Sequence, residues 1–138
     1  MSVNAFIDTN ILIYAHVSSD INKHEATLIL MQNLLVDSVI FVSTQVLGEF
    51  YTAMVKYKRS HIEISHFISE IVRESNVTDI TLNIVESALH IKDKYRYSYW
   101  DTLIIAAALA SNCTALYSED MQHNQLIENQ LTIINPYA

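Results

Sequence analysis

The sequence predicts an α/β fold of three layers, α/β/α, around a central, mostly parallel sheet of four to five strands. Three observations lead there. Short apolar runs rich in β-branched residues alternate with longer amphipathic stretches, which is the pattern of parallel sheets crossed by helices. The first run, Val3 to Ile7, has no polar face after Asn4, as in a strand covered on both sides. The chain has 138 residues, 51% of them apolar, enough for one sizeable core and too few for two. Residues 1–138 therefore read as a single domain.

The elements follow in order. Val3 to Ile7 ends at Asp8, and Thr9-Asn10 opens a helix through Ile11, Leu12, Tyr14 and Ala15. Ser18, Ser19 and Asp20 are turn and cap residues before a long helix from about Ile21 to Val36. Val39 to Val42 is a second strand. Ser43-Thr44 caps a helix from Gln45 to about Tyr57, whose apolar stripe is Val46, Leu47, Phe50, Ala53 and Met54. After a polar break at Lys58 to Ser60, an amphipathic helix runs from about Ile62 to Glu74, and Val77 to Ile80 is a short strand. Thr81 caps a helix through Ile84, Val85, Ala88, Leu89 and Ile91. Ser98 caps a helix from Tyr99 to Ser111 that is apolar nearly all round after Asp101, so it packs on both sides. Asn112 takes the left-handed position that often belongs to glycine. Thr114 to Tyr117 and Leu131 to Ile134 are the last strands, and Pro136 ends the second. The crevice of such a sheet lies beyond the carboxyl ends of its strands.

Composition removes several classes. Gly and Pro occur once each, which excludes collagen-like and linker-rich chains, and the apolar content excludes disorder. Cys113 is the only cysteine, so neither an internal disulfide nor a cysteine-based zinc site can form. The six histidines show no metal-binding spacing. The opening residues lack the basic and apolar regions of a secretory signal, and no run is long enough to span a bilayer. A cytoplasmic protein without membrane contact is expected. Eight basic residues against fifteen acidic give a formal net charge of −7, which argues against gripping nucleic acid with a broad basic face.

Four acids stand out. Asp8 closes the first strand, and Asp120 follows the strand 114–117. Asp101 lies in the first turn of the apolar helix. Glu49 sits on a helix beside Gly48. Each also has an ordinary reading: Asp8 as a helix cap, Asp101 as a complement to a helix dipole, Glu49 as a solvated side chain, Asp120 as a turn residue. Gathered at one mouth they would repel one another and raise each other's pKa. No Lys or Arg follows Arg96, so a divalent cation is the natural partner. An all-oxygen set favours Mg²⁺ or Mn²⁺ over zinc. Two such ions about 3.5–4 Å apart could clamp the attacking and leaving oxygens of a phosphodiester.

The motifs around these acids resemble the PIN-domain family of metal-dependent ribonucleases. Phe6-Ile7-Asp8-Thr9-Asn10 is similar to the family's opening, and Leu47-Gly48-Glu49-Phe50 to its internal Glu helix. Tyr99-Trp100-Asp101-Thr102-Leu103-Ile104 and Leu116-Tyr117-Ser118-Glu119-Asp120 are similar to its third and closing segments. The resemblance covers essentially the whole chain. It implies an acidic ring of Asp8, Glu49, Asp101 and Asp120 binding Mg²⁺ or Mn²⁺. It further implies that Asn10 orients the ring through Asp8 and that Ser118 supports it. The implied reaction is hydrolysis of RNA by metal-activated water. Many small members are toxins of toxin–antitoxin pairs and form homodimers, so an antitoxin and a second copy are implied partners. The chain departs from the family pattern at Thr102, where Ala is common, and at Asn112 and Asn124, where Gly is common. Glu119 is the alternative to Asp120 as the fourth acid.

Two basic clusters remain. Lys56, Lys58 and Arg59 read as a solvated helix end. Lys92, Lys94 and Arg96, interleaved with tyrosines, lead into Asp101 and are equally consistent with a helix end and with an RNA-phosphate contact. Trp100 reads as a packing residue. Two other functions compete with the nuclease. An Asp8-based phosphotransferase or phosphatase would want a second carboxylate at position 10, which is Asn. A catalytically inactive binding module of the same fold would bind no metal.

Overall fold

The computed structural model describes residues 2–138. It contains β1 (Val3–Ile7), α1 (Thr9–His16), α2 (Ile21–Asp37), β2 (Ser38–Ser43), α3 (Thr44–Lys56), α4 (His61–Glu74) and β3 (Asn76–Thr78). These are followed by α5 (Leu82–Lys94), α6 (Tyr99–Ala110), β4 (Ala115–Tyr117), β5 (Leu126–Ile127) and β6 (Leu131–Ile134). The strands form one six-stranded sheet in the order β3-β2-β1-β4-β6-β5, parallel except for β5. The sequence predicts four to five strands; the additional one is β5, two residues long and paired antiparallel to β6.

Consecutive strand residues face opposite sides of a sheet. Ala5, Phe6 and Ile7 are all fully buried, so helices cover both faces of β1. In α6 every residue from Thr102 to Ala108 is buried, as its all-round apolar sequence requires. Cys113 is buried too, and burial pushes its thiol pKa up to about 12, which makes it inert packing. Among the described residues no helix is long and apolar enough to cross a membrane.

The chain stops its helices without its single glycine. Asn112 (φ 57°) closes α6, and Asn124 (φ 67°) turns the chain after β4. Glu128 and Asn129 are left-handed in succession (φ 50° and 54°), as in a type I′ turn, and fold β5 onto β6. The caps are side chains: Asp20 for α2, Ser43 for α3, Thr81 for α5 and Ser98 for α6. At α4, Ser60 and Glu63 form a reciprocal capping box.

The sheet order contains the feature that makes a site. From β1 the chain builds outward through β2 to β3, then returns to place β4 on the other side of β1. The crossovers diverge between β1 and β4, leaving a crevice at their carboxyl ends. Asp8 N–H donates to Tyr117 O across this point at 3.0 Å, fixing the two exits side by side.

Candidate functional site

A cavity of about 570 Å³ opens at this crevice, and Asp8, Glu49, Asp101 and Asp120 all line it. Asp8 arrives from β1, Glu49 from α3, Asp101 from the first turn of α6 and Asp120 from the segment after β4. The ordinary readings hold as well. Asp8 is the N-cap of α1, its Oδ1 accepting from Thr9 N–H at 2.7 Å. Asp101 N–H donates to the Ser98 cap at 3.1 Å. Capping thus fixes the Asp8 carboxylate and the backbone of Asp101 at the crevice.

Asp8 is 5% exposed. Burial raises its pKa to about 7; hydrogen bonds from Ser118 and Thr9 pull it down, and the charges of Asp101 and Asp120 push it up again. Ser118 Oγ, itself fully buried, donates to Asp8 Oδ2 at 2.8 Å and accepts from Asp120 N–H at 3.2 Å. One hydroxyl thus ties two of the acids together. Asp101 is raised by partial burial and by Asp120 and Glu49, against the pull of Ser98. Among the described residues none of the four acids has an ion-pair partner.

The expected contact of Asn10 with Asp8 is not formed. Both Asp8 oxygens are already engaged by Thr9 and Ser118, and Asn10 Nδ2 instead donates to Asp120. Glu119 and Asp120 point in different directions. Glu119 turns away to accept from Tyr14 Oη at 2.7 Å and to pair with Lys23, whereas Asp120 faces the cavity. Lys92 and Lys94 are drawn elsewhere: Lys92 Nζ donates to Tyr97 O, and Lys94 pairs with Glu128 at 2.9 Å. Arg96 lines a separate cleft with Tyr97 and Gln125. None of the three lines the acidic cavity.

Other residues enter the site that the sequence reading set aside or left without a role. Thr9 Oγ1 donates to Glu49 Oε1 at 2.6 Å, and Gln45 Nε2 donates to Glu49 Oε2 at 3.3 Å and to Trp100 O at 3.1 Å. Glu49 is therefore oriented from both sides. Trp100 is not a packing residue; it is 61% exposed on the cavity rim. Lys56 lines the cavity from the far end of α3, while Arg59 of the same cluster pairs with Glu63 at 3.6 Å. The periodicity of α3 was the available signal, because Gln45, Glu49, Thr52 and Lys56 recur at helical spacing on one face.

Among the described residues no three His, Cys, Asp or Glu side chains converge closely enough to encage an ion. The donor set nonetheless fits a hard divalent cation. It is all carboxylate, mutually repulsive and not ion-paired among the described residues, and Mg²⁺ binds through one or two carboxylates while keeping several waters. Asp8, Glu49, Asp101 and Asp120 would hold it.

These features define a class: a parallel α/β domain whose topological switch point carries a ring of acids. The PIN domain profile matches residues 5–128, and the chain belongs to that family. No curated protein matches the sequence significantly. Among solved structures it is similar to a toxin–antitoxin complex from Klebsiella pneumoniae, at 20% identity over 96% of this chain and 98% of that one, TM-score 0.68. It is similar to VapBC2 from Rickettsia felis bound to a promoter DNA fragment, at 19% identity over 86% and 89%, TM-score 0.65. It is also similar to Mycobacterium tuberculosis VapC20, a sarcin-ricin loop cleaving toxin, at 20% identity over 81% and 86%, TM-score 0.61.

Proposed function

We propose that this protein is a Mg²⁺- or Mn²⁺-dependent endoribonuclease, the toxin of a toxin–antitoxin pair. The observation that carries the reading is that four carboxylates from four separate elements line one cavity, none of them ion-paired among the described residues. When bound, the cation would polarise the phosphodiester and lower the pKa of the attacking water. The chain's own residues do the positioning. Ser118 and Thr9 hold Asp8, Thr9 and Gln45 hold Glu49, and Asn10 holds Asp120, so the four acids keep their places around the cavity.

The toxin assignment is supported by membership of the PIN family and by its structural neighbours, one a toxin–antitoxin complex and another VapBC2 bound to promoter DNA. The exposed Ile21, Leu28, Ile29, Leu35 and Val36 of α2 give apolar surface for a protein partner, whether an antitoxin or a second copy in a homodimer. A cytoplasmic location belongs to the same reading.

The test is cleavage of total RNA by the purified protein with Mn²⁺ or Mg²⁺. Activity should vanish in EDTA, and Asp8→Asn and Asp101→Asn should each lower it by about 10²-fold or more. Equal cleavage in EDTA, or full activity in both variants, would refute the metal mechanism. A stable acyl phosphate on Asp8 would instead establish the phosphotransferase alternative.

A further inference from the structure

The single glycine of this chain stands in the middle of α3, where it is unfavourable for the helix, and it lines the acidic cavity. No turn, positive φ or neighbouring atom demands it there. A Cβ built on Gly48 would meet nothing within 4 Å, so alanine would fit the protein and strengthen the helix. The space over Gly48 is open, and Gly48 lines the cavity. Two turns further along the same face is Lys56, about 12 Å away by helix geometry. Lys56 has no carboxylate partner among the described residues, unlike Lys23, Arg59 and Lys94.

We infer that the α3 wall between Gly48 and Lys56 is the track on which an unpaired RNA strand lies. Gly48 is the point where the strand approaches the helix backbone, and Lys56 is the contact to a phosphate flanking the one that is cut. The inference rests on the nuclease reading and adds to it a direction for the substrate, along α3 and away from the acids. It also assigns a polarity to the wall: the metal end at Glu49 is anionic, and the far end is cationic. A strand whose scissile phosphate sits at the acids places its neighbours over Gly48 and towards Lys56. A Cβ at position 48 would lift the strand off the wall without disturbing the fold.

The test measures binding apart from chemistry. In an Asp101→Asn background, a fluorescein-labelled short single-stranded RNA is titrated by anisotropy across a range of salt concentrations. Lys56→Gln should bind about ten-fold more weakly at low salt. The slope of log K against log salt should shrink by about 0.7, the value for one phosphate contact on a single strand. Lys56→Arg should restore the slope. With Asp101 intact, Gly48→Ala should melt roughly 2–5 °C above the parent and yet show a several-fold higher KM with kcat retained. If Lys56→Gln leaves both affinity and slope unchanged while the parent still binds and cuts RNA, the track is wrong and the nuclease reading stands. If Gly48→Ala keeps the parent's KM, the close approach is wrong. If the parent neither binds nor cuts RNA, both readings fall together.

Discussion

Asp8 spends one oxygen on Thr9 N–H and the other on Ser118 Oγ, so its ionised form depends on two donors inside a buried site. Ser118→Ala removes a hydrogen bond that lowers the Asp8 pKa and frees Asp120 N–H. The carboxylate should then ionise at higher pH, and affinity for Mn²⁺ should fall about 10–100-fold. Calorimetric titration of Mn²⁺ and the pH profile of cleavage would show both changes, and an unaltered pH profile would contradict the role given to Ser118. Trp100 makes a second case at this scale. Its ring is exposed on the cavity rim, held at its own main-chain oxygen by Gln45. A base stacked on it would contribute about 1–3 kcal/mol. Trp100→Ala is therefore expected to raise the Kd for single-stranded RNA by roughly ten-fold or more, with the melting temperature nearly unchanged.

At the scale of elements, the helix ends decide how much could be read in advance. Asn112 N–H closes on Leu109 O at 3.0 Å and Cys113 N–H on Ala108 O at 3.0 Å, which turns the chain from α6 into β4. Asn in this left-handed position costs little, whereas Ala costs about 1–2 kcal/mol. Asn112→Ala should lower stability by about that amount in urea unfolding, and Asn112→Gly should not. Such positions were legible because Asn carries the signal in place of Gly, and the caps at Ser43, Thr81 and Ser98 were legible for the same chemical reason. The hairpin of β5 and β6 was not. Its two left-handed residues are Glu128 and Asn129, and a glutamate gives no turn signal. What holds Glu128 there is distant in sequence: Lys94 Nζ reaches its carboxylate, and Tyr95 Oη accepts from its N–H at 3.1 Å. The same long-range contact engages Lys94, which the sequence alone leaves open between a helix end and an RNA-phosphate contact. Asp8, Asp101 and Asp120 were legible because each follows a strand or opens a helix, and Glu49, inside α3, through the motif around it. The partner of Asn10 was not, since which carboxylate oxygens remain free depends on tertiary contacts.

For the molecule as a whole, the net charge of −7 conceals an uneven distribution, with four acids held around one cavity and none of them ion-paired among the described residues. Metal-free protein should show this as a pH-dependent stability. Burial lifts the folded-state pKa of Asp8 from its ordinary 3.8 to about 7. Between those values the folded protein keeps a proton that the unfolded chain has released. Stability is then fully present below the lower pKa and is lost as pH rises through the upper one, by about 4 kcal/mol. The melting temperature in EDTA should accordingly fall between pH 5 and pH 8, and Asp8→Asn should flatten that fall and melt higher at pH 8. Added Mn²⁺ acts in the opposite sense, because it binds the ionised ring of the folded state and not the dispersed acids of the unfolded chain. Its stabilisation should be small at pH 5 and large at pH 8, and Asp8→Asn should remove most of it. A metal-free melting temperature that rises between pH 5 and pH 8 would mean that Asp8 is ionised in the folded state without a cation, and the electrostatic case for a metal at this cavity would fail.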